Sequence, residues 1–382
     1  MGLLQLLVLC TLTACYVTLS PPAPVLSPSL LSRGCNDSDV LAFANFALQD
    51  INRDQKEGYV LRLNRVNDVW AQSQGDLGSL FYFTLDVLET DCHVLSKKAW
   101  KDCGARMFYD SVYGQCKALF FINKPKRVLY VPAYNCTLRP VSRRNIHHIC
   151  PDCPRRSPVD SSDPNVLEAA TESLAKYNRE SPSKQYSLIK VTKASSYWAG
   201  SIGYSVEYLI KESPCTTSSD SSCSLQSSDS VPIALCKGSL SKTPFKKFVT
   251  ATCDFFKSQV QAAEGQTSPV TQGPTSLPKV KGPQEENTSS PPKPAVPRGS
   301  VQHLPDLGDE KPEESEDKGP QEAFPVQLDL TTDPQGTTLD VSFLFIGPEE
   351  EKLVVLPFPG KEQRSAECPG PAGDANTLVF PP

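Results

Sequence analysis

Two segments of the chain carry apolar residues at helical spacing. In the first segment they fall at i, i+3, i+4, i+7, i+8 and i+11: Val40, Phe43, Ala44, Ala47, Leu48 and Ile51. The second segment has an equivalent face at Val166, Ala170, Leu174 and Tyr177. This spacing places the apolar side chains on one face of an amphipathic α-helix. We therefore predict two helices, each with one buried face.

The two helical segments belong to an internal repeat. "LAFANFALQDIN" begins at Leu41 and "LEAATESLAKYN" begins at Leu167, an offset of 126 residues. Each is followed by runs that alternate in polarity and are rich in aromatic and β-branched residues, such as "YVLRLNRV" and "YSLIKVTK". Such runs are typical of β-strands. One helix can cover one face of an antiparallel sheet, so the repeat predicts an α+β fold with two similar domains.

The domain boundaries follow from changes in composition. The two repeats give domains over 25–140 and 156–256, joined by a linker over 141–155 that contains "CPDCP". The remainder, 257–382, is rich in proline, and its stretch 260–322 has the composition of a disordered linker. Within it "FPVQLDLTTDPQGTTLDVSFLFIG", 324–347, alternates around a turn at "DPQG", which predicts a β-hairpin.

The N-terminal segment predicts entry into the secretory pathway. Residues 1–20 form an apolar run with small residues before a proline cluster, as in a cleaved signal peptide. A membrane anchor is the alternative, but no basic stop-transfer flank follows the run. We therefore expect a protein secreted to an extracellular, plasma-type environment without membrane attachment. The net charge of -5 gives no basic surface that would favour nucleic acid as a partner.

The cysteines agree with secretion. Of 14 cysteines, Cys10 and Cys15 lie in the signal peptide, which leaves an even number for disulfides in an oxidising compartment. Cysteine order alone does not fix the pairing. We choose nearest-neighbour pairing because it recurs in both repeats, and Cys368 is then left with Cys35. The predicted bridges are Cys35–Cys368, Cys92–Cys103, Cys116–Cys136, Cys150–Cys153, Cys215–Cys223 and Cys236–Cys253. N-x-S/T sequons, which suit the same compartment, occur at Asn36, Asn135 and Asn287.

The set of motifs resembles a known family. "SRGCNDSDVLAFANFALQDIN", "LGSLFYFTLDVLETDCHVL" and "CPDCP", with two cysteine-paired repeats and a proline-rich tail, look like the fetuin branch of the cystatin superfamily. The resemblance implies a five-stranded antiparallel sheet wrapped round one long helix in each domain. It implies two competing kinds of protease inhibition, and also the alternative of a mineral- or ligand-binding plasma glycoprotein.

Cystatin-type inhibition of cysteine proteases requires loops that this chain largely lacks. The resemblance calls for Q-x-V-x-G in a first hairpin and Pro-Trp in a second. The first domain has "AQSQGDLG" at 71–78. The second has "SYWAG" at 196–200, which keeps only the Ala-Gly end, and Thr243-Pro244-Phe245 in place of Pro-Trp. Cysteine-protease inhibition therefore stays as an alternative.

The second kind of inhibition directs attention to Cys150, Pro151, Asp152, Cys153 and Pro154. The fetuin resemblance implies inhibition of astacin-family zinc metalloproteases, including the oocyte enzyme that hardens the egg coat. Taken alone, "CPDCP" could be a redox pair, a stiff linker with a solvated aspartate, or a structural zinc site together with His147 and His148. We favour an oxidised ring, because secreted cysteines are usually disulfide-bonded.

Such a ring would carry Asp152 to the zinc of a partner. Pro151 fixes φ inside the ring, so Asp152 has little conformational entropy left to lose on binding. Its carboxylate could take the zinc position that otherwise holds the attacking water. We expect Tyr197 or Trp198 to pack on the rim of the cleft. The basic pairs beside the ring are interpreted as solvated linker charge, with steering toward an acidic protease as a hypothesis.

No catalytic set of the chain's own is predicted. Its histidines do not form H-E-x-x-H, and neither G-x-S-x-G nor a phosphate-binding glycine loop occurs. We therefore expect a monomeric inhibitor without cofactor or metal of its own, rather than an enzyme.

Overall fold

The computed structural model describes residues 29–153, 155–181, 184–198, 200–213, 231–256, 298–305, 326, 328, 330–360 and 364–373. Several sequence-based predictions lie outside these residues in whole or in part. They include the signal peptide over 1–20, the bridge Cys215–Cys223, the sequon at Asn287, the position of Pro154, most of the linker over 260–322 and part of the hairpin over 324–347. None of the described helices is long and apolar enough to cross a membrane.

The first domain is one helix on a mostly antiparallel sheet. Helix α1 spans Ser38–Asp54. The first six strands are β1 (Leu30–Ser32), β2 (Tyr59–Ser73), β3 (Ser79–His93), β4 (Val112–Asn123), β5 (Val128–Tyr130) and β6 (Tyr134–Pro140). The sheet runs β1-β2-β3-β4-β6, and β5 pairs with the far end of β4. The apolar face of α1 packs on the residues of one sheet face, including Phe83 and Phe120.

The second domain repeats this arrangement. Strand β7 (Arg156–Pro158) leads into helix α3 (Pro164–Glu180), and Asp163 caps the helix by accepting a hydrogen bond from Asn165 N at 2.8 Å. The other strands are β8 (Tyr186–Trp198), β9 (Ile202–Glu212), β10 (Ala234–Lys242) and β11 (Lys247–Phe255). They form an antiparallel sheet in the order β11-β10-β9-β8-β7. The fold is therefore α+β with two cystatin-like domains.

The repeated asparagines have the same role in both domains. The Asn52 side chain donates to Leu61 O and accepts from Leu61 N, both at 2.8 Å. The Asn178 side chain makes the same two bonds with Tyr186, at 2.9 and 3.0 Å. Each asparagine thus ties the end of its helix to the first long strand, which explains why it recurs at the same place in the repeat.

The described part of the C-terminal region packs on the first domain, and here two sequence predictions are wrong in their bounds. Within the stretch expected to be a disordered linker, Gly299–His303 forms strand β12, which pairs in parallel with β6. The predicted hairpin over 324–347 is also wrong in its bounds. The strand pair observed is β13 (Thr337–Asp340) with β14 (Lys352–Val355), and "DPQG" forms a turn before β13.

This tail covers the sheet face opposite α1. Leu80 and Tyr82 point to that face and pack with Leu353, Val355 and other tail residues, while Phe81 and Phe83 point to the helix. The Tyr82 hydroxyl accepts a hydrogen bond from Leu356 N at 2.8 Å. A strand buried on both faces reads as a continuous apolar run. "LFYF", at 80–83, is such a run. It indicates from the sequence that a second layer covers the sheet face opposite the helix.

Five disulfides lie within the described residues. They join pairs that the cysteine arithmetic predicted: Cys35–Cys368, Cys92–Cys103, Cys116–Cys136, Cys150–Cys153 and Cys236–Cys253. The first connects the loop before α1 to the end of the described tail.

A buried arginine joins the two domains. The Arg106 guanidinium, only 4% exposed, lies 3.5 Å from Glu89 Oε2 in its own domain and 3.3 Å from Glu207 Oε1 in the second domain. It also stacks over the Tyr59 ring at 4.0 Å. Burial opposes ionisation of Glu207, but Arg106 and the Tyr59 hydroxyl together hold the pKa of this carboxyl below its ordinary value. Charge pairing of buried groups thus fixes one domain against the other.

We predict that Arg106→Met destabilises the protein by about 3–5 kcal/mol, because two buried carboxylates lose their guanidinium partner. Glu89 then keeps its contact with His303, and Glu207 keeps the hydrogen bond from the Tyr59 hydroxyl. Urea unfolding at neutral pH measures the change. The deficit should shrink on acidification, since wild-type Glu207 loses its stabilising charge as the pH falls through its lowered pKa. The matched control is Lys184→Met, which breaks the exposed pair with Glu212 and should cost about 1 kcal/mol or less. Equal losses in the two variants would contradict the assignment.

Candidate functional site

A short helix presents the CPDCP segment. Helix α2 spans Arg143–Ile149, and Ser142 caps it by accepting a hydrogen bond from Asn145 N at 3.2 Å. Ile146 packs against a small cluster of the first domain, Leu88, Tyr113 and Val141. Part of the segment predicted as a linker is therefore helical. The helix gives the following cysteine a fixed support on the first domain.

The two histidines lie on this helix rather than in a loop or strand end. His147 and His148 occupy its last turn, and both side chains are exposed. Among the described residues, no group of three or more His, Cys, Asp or Glu side chains is placed to hold a metal. The bridge between Cys150 and Cys153 also takes both sulfurs out of the thiolate form that zinc and redox chemistry require.

The ring itself is small and closed. Cys150 N donates to Ile146 O at 2.9 Å, and Cys153 N donates to Cys150 O at 3.2 Å, so a turn closes within the disulfide. Pro151 and Asp152 at its tip are exposed. Within the described part of the chain, the Asp152 carboxylate has no hydrogen bond and no ion pair. The arrangement presents an unpaired carboxylate on a stiff support.

The chain that leaves the ring runs along the first hairpin of the second domain. Strand β7 pairs with β8 in the register Arg156↔Tyr197 and Pro158↔Ser195. The ring therefore lies at the end of β8 where Trp198 begins the hairpin turn. Trp198 is 68% exposed. Tyr197 is half-buried, with its ring across Gly203, where an added Cβ would come within 2.5 Å of it.

Arg156 holds this strand against both domains. Its guanidinium lies 3.3 Å from Asp110 Oδ2 in the first domain. It also lies over the rings of Tyr109, at 5.2 Å, and Tyr197, at 5.9 Å. The interpretation of both basic pairs as solvated linker charge is therefore wrong for Arg156. Arg155 is exposed, as expected. Tyr109 and Asp110 were not predicted, because contact with a residue so distant in sequence leaves no local pattern.

A second hairpin extends the same surface. The turn between β10 and β11 carries Phe245, which is 96% exposed. Ser201 Oγ and Ser241 Oγ lie 2.9 Å apart and join the two hairpins. Exposed apolar side chains of this size, clustered at one end of a domain, are typical of a binding surface. In the sequence alone, Phe245 is recognisable only as a departure from the cystatin Pro-Trp motif.

The corresponding hairpin of the first domain is occupied by the tail. The Gln74 side chain donates to Val354 O at 2.8 Å and accepts from Val354 N at 2.9 Å. This pair of bonds places β14 against the hairpin turn. The first domain therefore does not offer the free hairpin edge that the second domain offers beside the ring.

The fold and this end of the second domain define a protein with two cystatin domains. The cystatin domain family model matches residues 31–124 and 154–245. The chain is 66% identical to human fetuin-B over 385 residues, covering 100% of both chains. It is 63% identical to mouse (Mus musculus) fetuin-B over 397 residues, again covering 100% of both. The chain belongs to the fetuin-B family.

Solved structures of mouse fetuin-B are similar to this chain. Mouse fetuin-B in complex with crayfish astacin matches with a TM-score of 0.72 at 60% identity, covering 94% of this chain and 99% of that one. The inhibitory complex of human meprin beta with mouse fetuin-B also gives a TM-score of 0.72, at 59% identity, covering 91% of this chain and 98% of that one.

We predict that Arg156→Ala increases hydrogen exchange of the backbone amides of residues 156 and 157, because the strand loses its ion pair and both aromatic contacts while keeping its ladder to β8. Mass spectrometry of peptides that span β7 measures the exchange. Arg155→Ala is the matched control, since Arg155 has no polar partner among the described residues. Equal exchange in the two variants would show that Arg156 does not anchor the strand.

Proposed function

We propose that this protein is a secreted inhibitor of astacin-family zinc metalloproteases, and that the ring inserts Asp152 at the catalytic zinc of the protease. The observation that carries this proposal is the exposed, unpaired carboxylate at the tip of a disulfide-closed ring. The complexes of mouse fetuin-B with astacin and with meprin beta support the choice of protease class. Toward this class of protease, the protein acts as an inhibitor and is not itself an enzyme.

The chemistry of the proposal is that of a competing ligand. A catalytic zinc keeps one coordination position for water, and a carboxylate oxygen is a competent ligand there at about 2.0–2.2 Å. Asp152 would displace the water that attacks the substrate. Its lack of a partner in the described chain means that no internal bond has to break first.

The same segment is built to resist cleavage. Pro151 lacks the backbone N–H that an extended substrate would offer, and the sequence places Pro154 just after the ring. The Cys150–Cys153 bridge holds the segment in a turn, so it cannot extend through the cleft as a substrate strand does. Rigidity also lowers the entropy that is lost on binding.

The hairpin tips complete the proposed contact. Trp198 and Phe245 are exposed at the end of the domain that carries the ring, and Tyr197 supports the first hairpin from below. Large aromatic side chains that become buried on binding supply much of the affinity in protein interfaces. We assign Trp198 and Phe245 to the rim of the protease cleft.

We predict that Asp152→Ala raises the inhibition constant for an astacin-family protease by about 30-fold or more, because a charged ligand to the metal is lost. Inhibition of meprin beta by full-length protein measures the effect. Asp152→Asn keeps the shape but replaces the charged ligand with a weaker neutral one, and should fall between. Asp76→Ala is the matched control, since Asp76 is an exposed carboxylate on the first domain. Equal potency of Asp152→Ala and wild type would refute the zinc-ligand role.

The site of action follows as a further part of the proposal. The described disulfides suit an oxidising extracellular compartment. There the protein would restrain the oocyte astacin protease, prevent premature hardening of the egg coat and so support fertilisation.

We predict that wild-type protein added to isolated oocytes keeps the egg coat digestible by an added test protease, and that the Asp152→Ala variant does not. Equal hardening of the egg coat with both proteins would contradict this role.

A further inference from the structure

A basic groove with an apolar floor lies on the first domain, away from the ring. It has a volume of about 800 Å³ and runs between the exposed side of α1 and the loop over 94–101. Its floor contains Val60, Val94 and Trp100, and its rim carries Arg53, Lys56, Lys97, Lys98 and Lys101. Among the described residues that line it, none is acidic. The protease site does not use this groove.

The positive charge of the groove is left unbalanced by the contacts around it. The nearby acids of α1 face elsewhere, because Asp50 Oδ2 accepts from Arg298 at 2.7 Å and Asp54 Oδ2 accepts from the Tyr134 hydroxyl at 2.9 Å. Lys98 pairs with Asp254 of the second domain at 2.6 Å. The other four cations of the rim have no ion-pair partner among the described residues. The chain as a whole carries a net charge of -5, so this cluster is a local feature.

The loop that forms one wall of the groove is held in place. The Cys92–Cys103 bridge closes the base of this loop, and Trp100 packs with Val60 and Val94. The apolar floor is therefore part of a packed cluster beside the basic rim.

We propose that the groove binds an amphiphilic organic anion, with the apolar body of the ligand on Trp100 and its acidic group among the unpaired cations. The volume suits a molecule of drug or lipid size. A purely inorganic anion would leave the apolar floor exposed, and a neutral lipid would leave the cations without a counterion. Both features of the groove are satisfied only by a ligand that has an apolar body and a negative head.

The groove is separated from the protease site. Lys98 contacts Asp254 near the end of β11, whereas the hairpin that carries Phe245 lies at the other end of the same strand. The seven residue-to-residue steps from Lys247 to Asp254 span about 23 Å at strand geometry. Ligand binding and protease inhibition can therefore be measured independently, and failure of one leaves the other standing.

The experiment uses anilinonaphthalene sulfonate, an apolar fluorescent sulfonate, titrated into the full-length disulfide-bonded protein. We expect Arg53→Glu/Lys101→Glu to weaken binding roughly tenfold or more, because two attractions become repulsions. The matched control is Arg179→Glu, since Arg179 occupies the place of Arg53 in the second repeat and does not line the groove. Trp100→Phe should remove most of the probe emission excited through tryptophan. Both glutamate variants should inhibit meprin beta as wild type does.

Competition with the bound probe identifies the chemical class of the ligand. Submicellar dodecyl sulfate should displace the probe, and dodecyltrimethylammonium at the same concentration should not. Displacement by inorganic sulfate as effective as that by dodecyl sulfate would overturn the proposal, because the apolar body would then contribute nothing. Stronger displacement by a heparin oligosaccharide would overturn it in favour of a polyanion surface. Equal probe binding by the double variant and Arg179→Glu would contradict the assignment of the ligand site to this groove.

Discussion

The buried Arg106 guanidinium is the constraint on which the arrangement of the molecule depends. It lies between Glu89 and Glu207, so one cation contacts a carboxylate from each domain. Displacing this buried cation is costly, because among the described side chains Glu89 would then have only the His303 ring, and Glu207 only the Tyr59 hydroxyl, as a hydrogen-bond partner. Together with the Arg156–Asp110 and Lys98–Asp254 ion pairs, this contact positions the ring, the strand that leaves it and the hairpins of the second domain against the first domain.

The two domains share one plan and are used differently. In the first, α1 covers one face of the sheet, the tail covers the other, and Val354 occupies the hairpin turn. That domain serves as a closed support. In the second, the hairpin tips remain exposed and the ring stands beside them. The repeat thus supplies one unit for rigidity and one for recognition, and Arg156 links the two through Asp110 and Tyr197.

Local patterns predicted the parts of the fold that depend on local physics. The helix at Val40–Ile51 and the recurrence of Asn52 at Asn178 could be found from spacing alone, and the cysteine order agreed with the observed bridges. The tail strand β12 could not be predicted in this way, because "GSVQH" forms a strand only by pairing with the free edge of β6. The proposed role of Asp152 was reached through family resemblance, since the residues alone specify only a rigid, exposed carboxylate.

The bridge between Cys35 and Cys368 has a consequence for the covalent connectivity of the chain. It ties the tail to the loop before α1, while Arg298 and β12 hold the tail's beginning to the same domain. A protease that nicked the backbone anywhere between 257 and 297 would therefore yield two polypeptides that remain one molecule until the disulfides are reduced. Preparations of intact and nicked protein would run alike without reductant. The second domain would remain attached to the first through the linker over 141–155, and the bridge would hold the tail fragment.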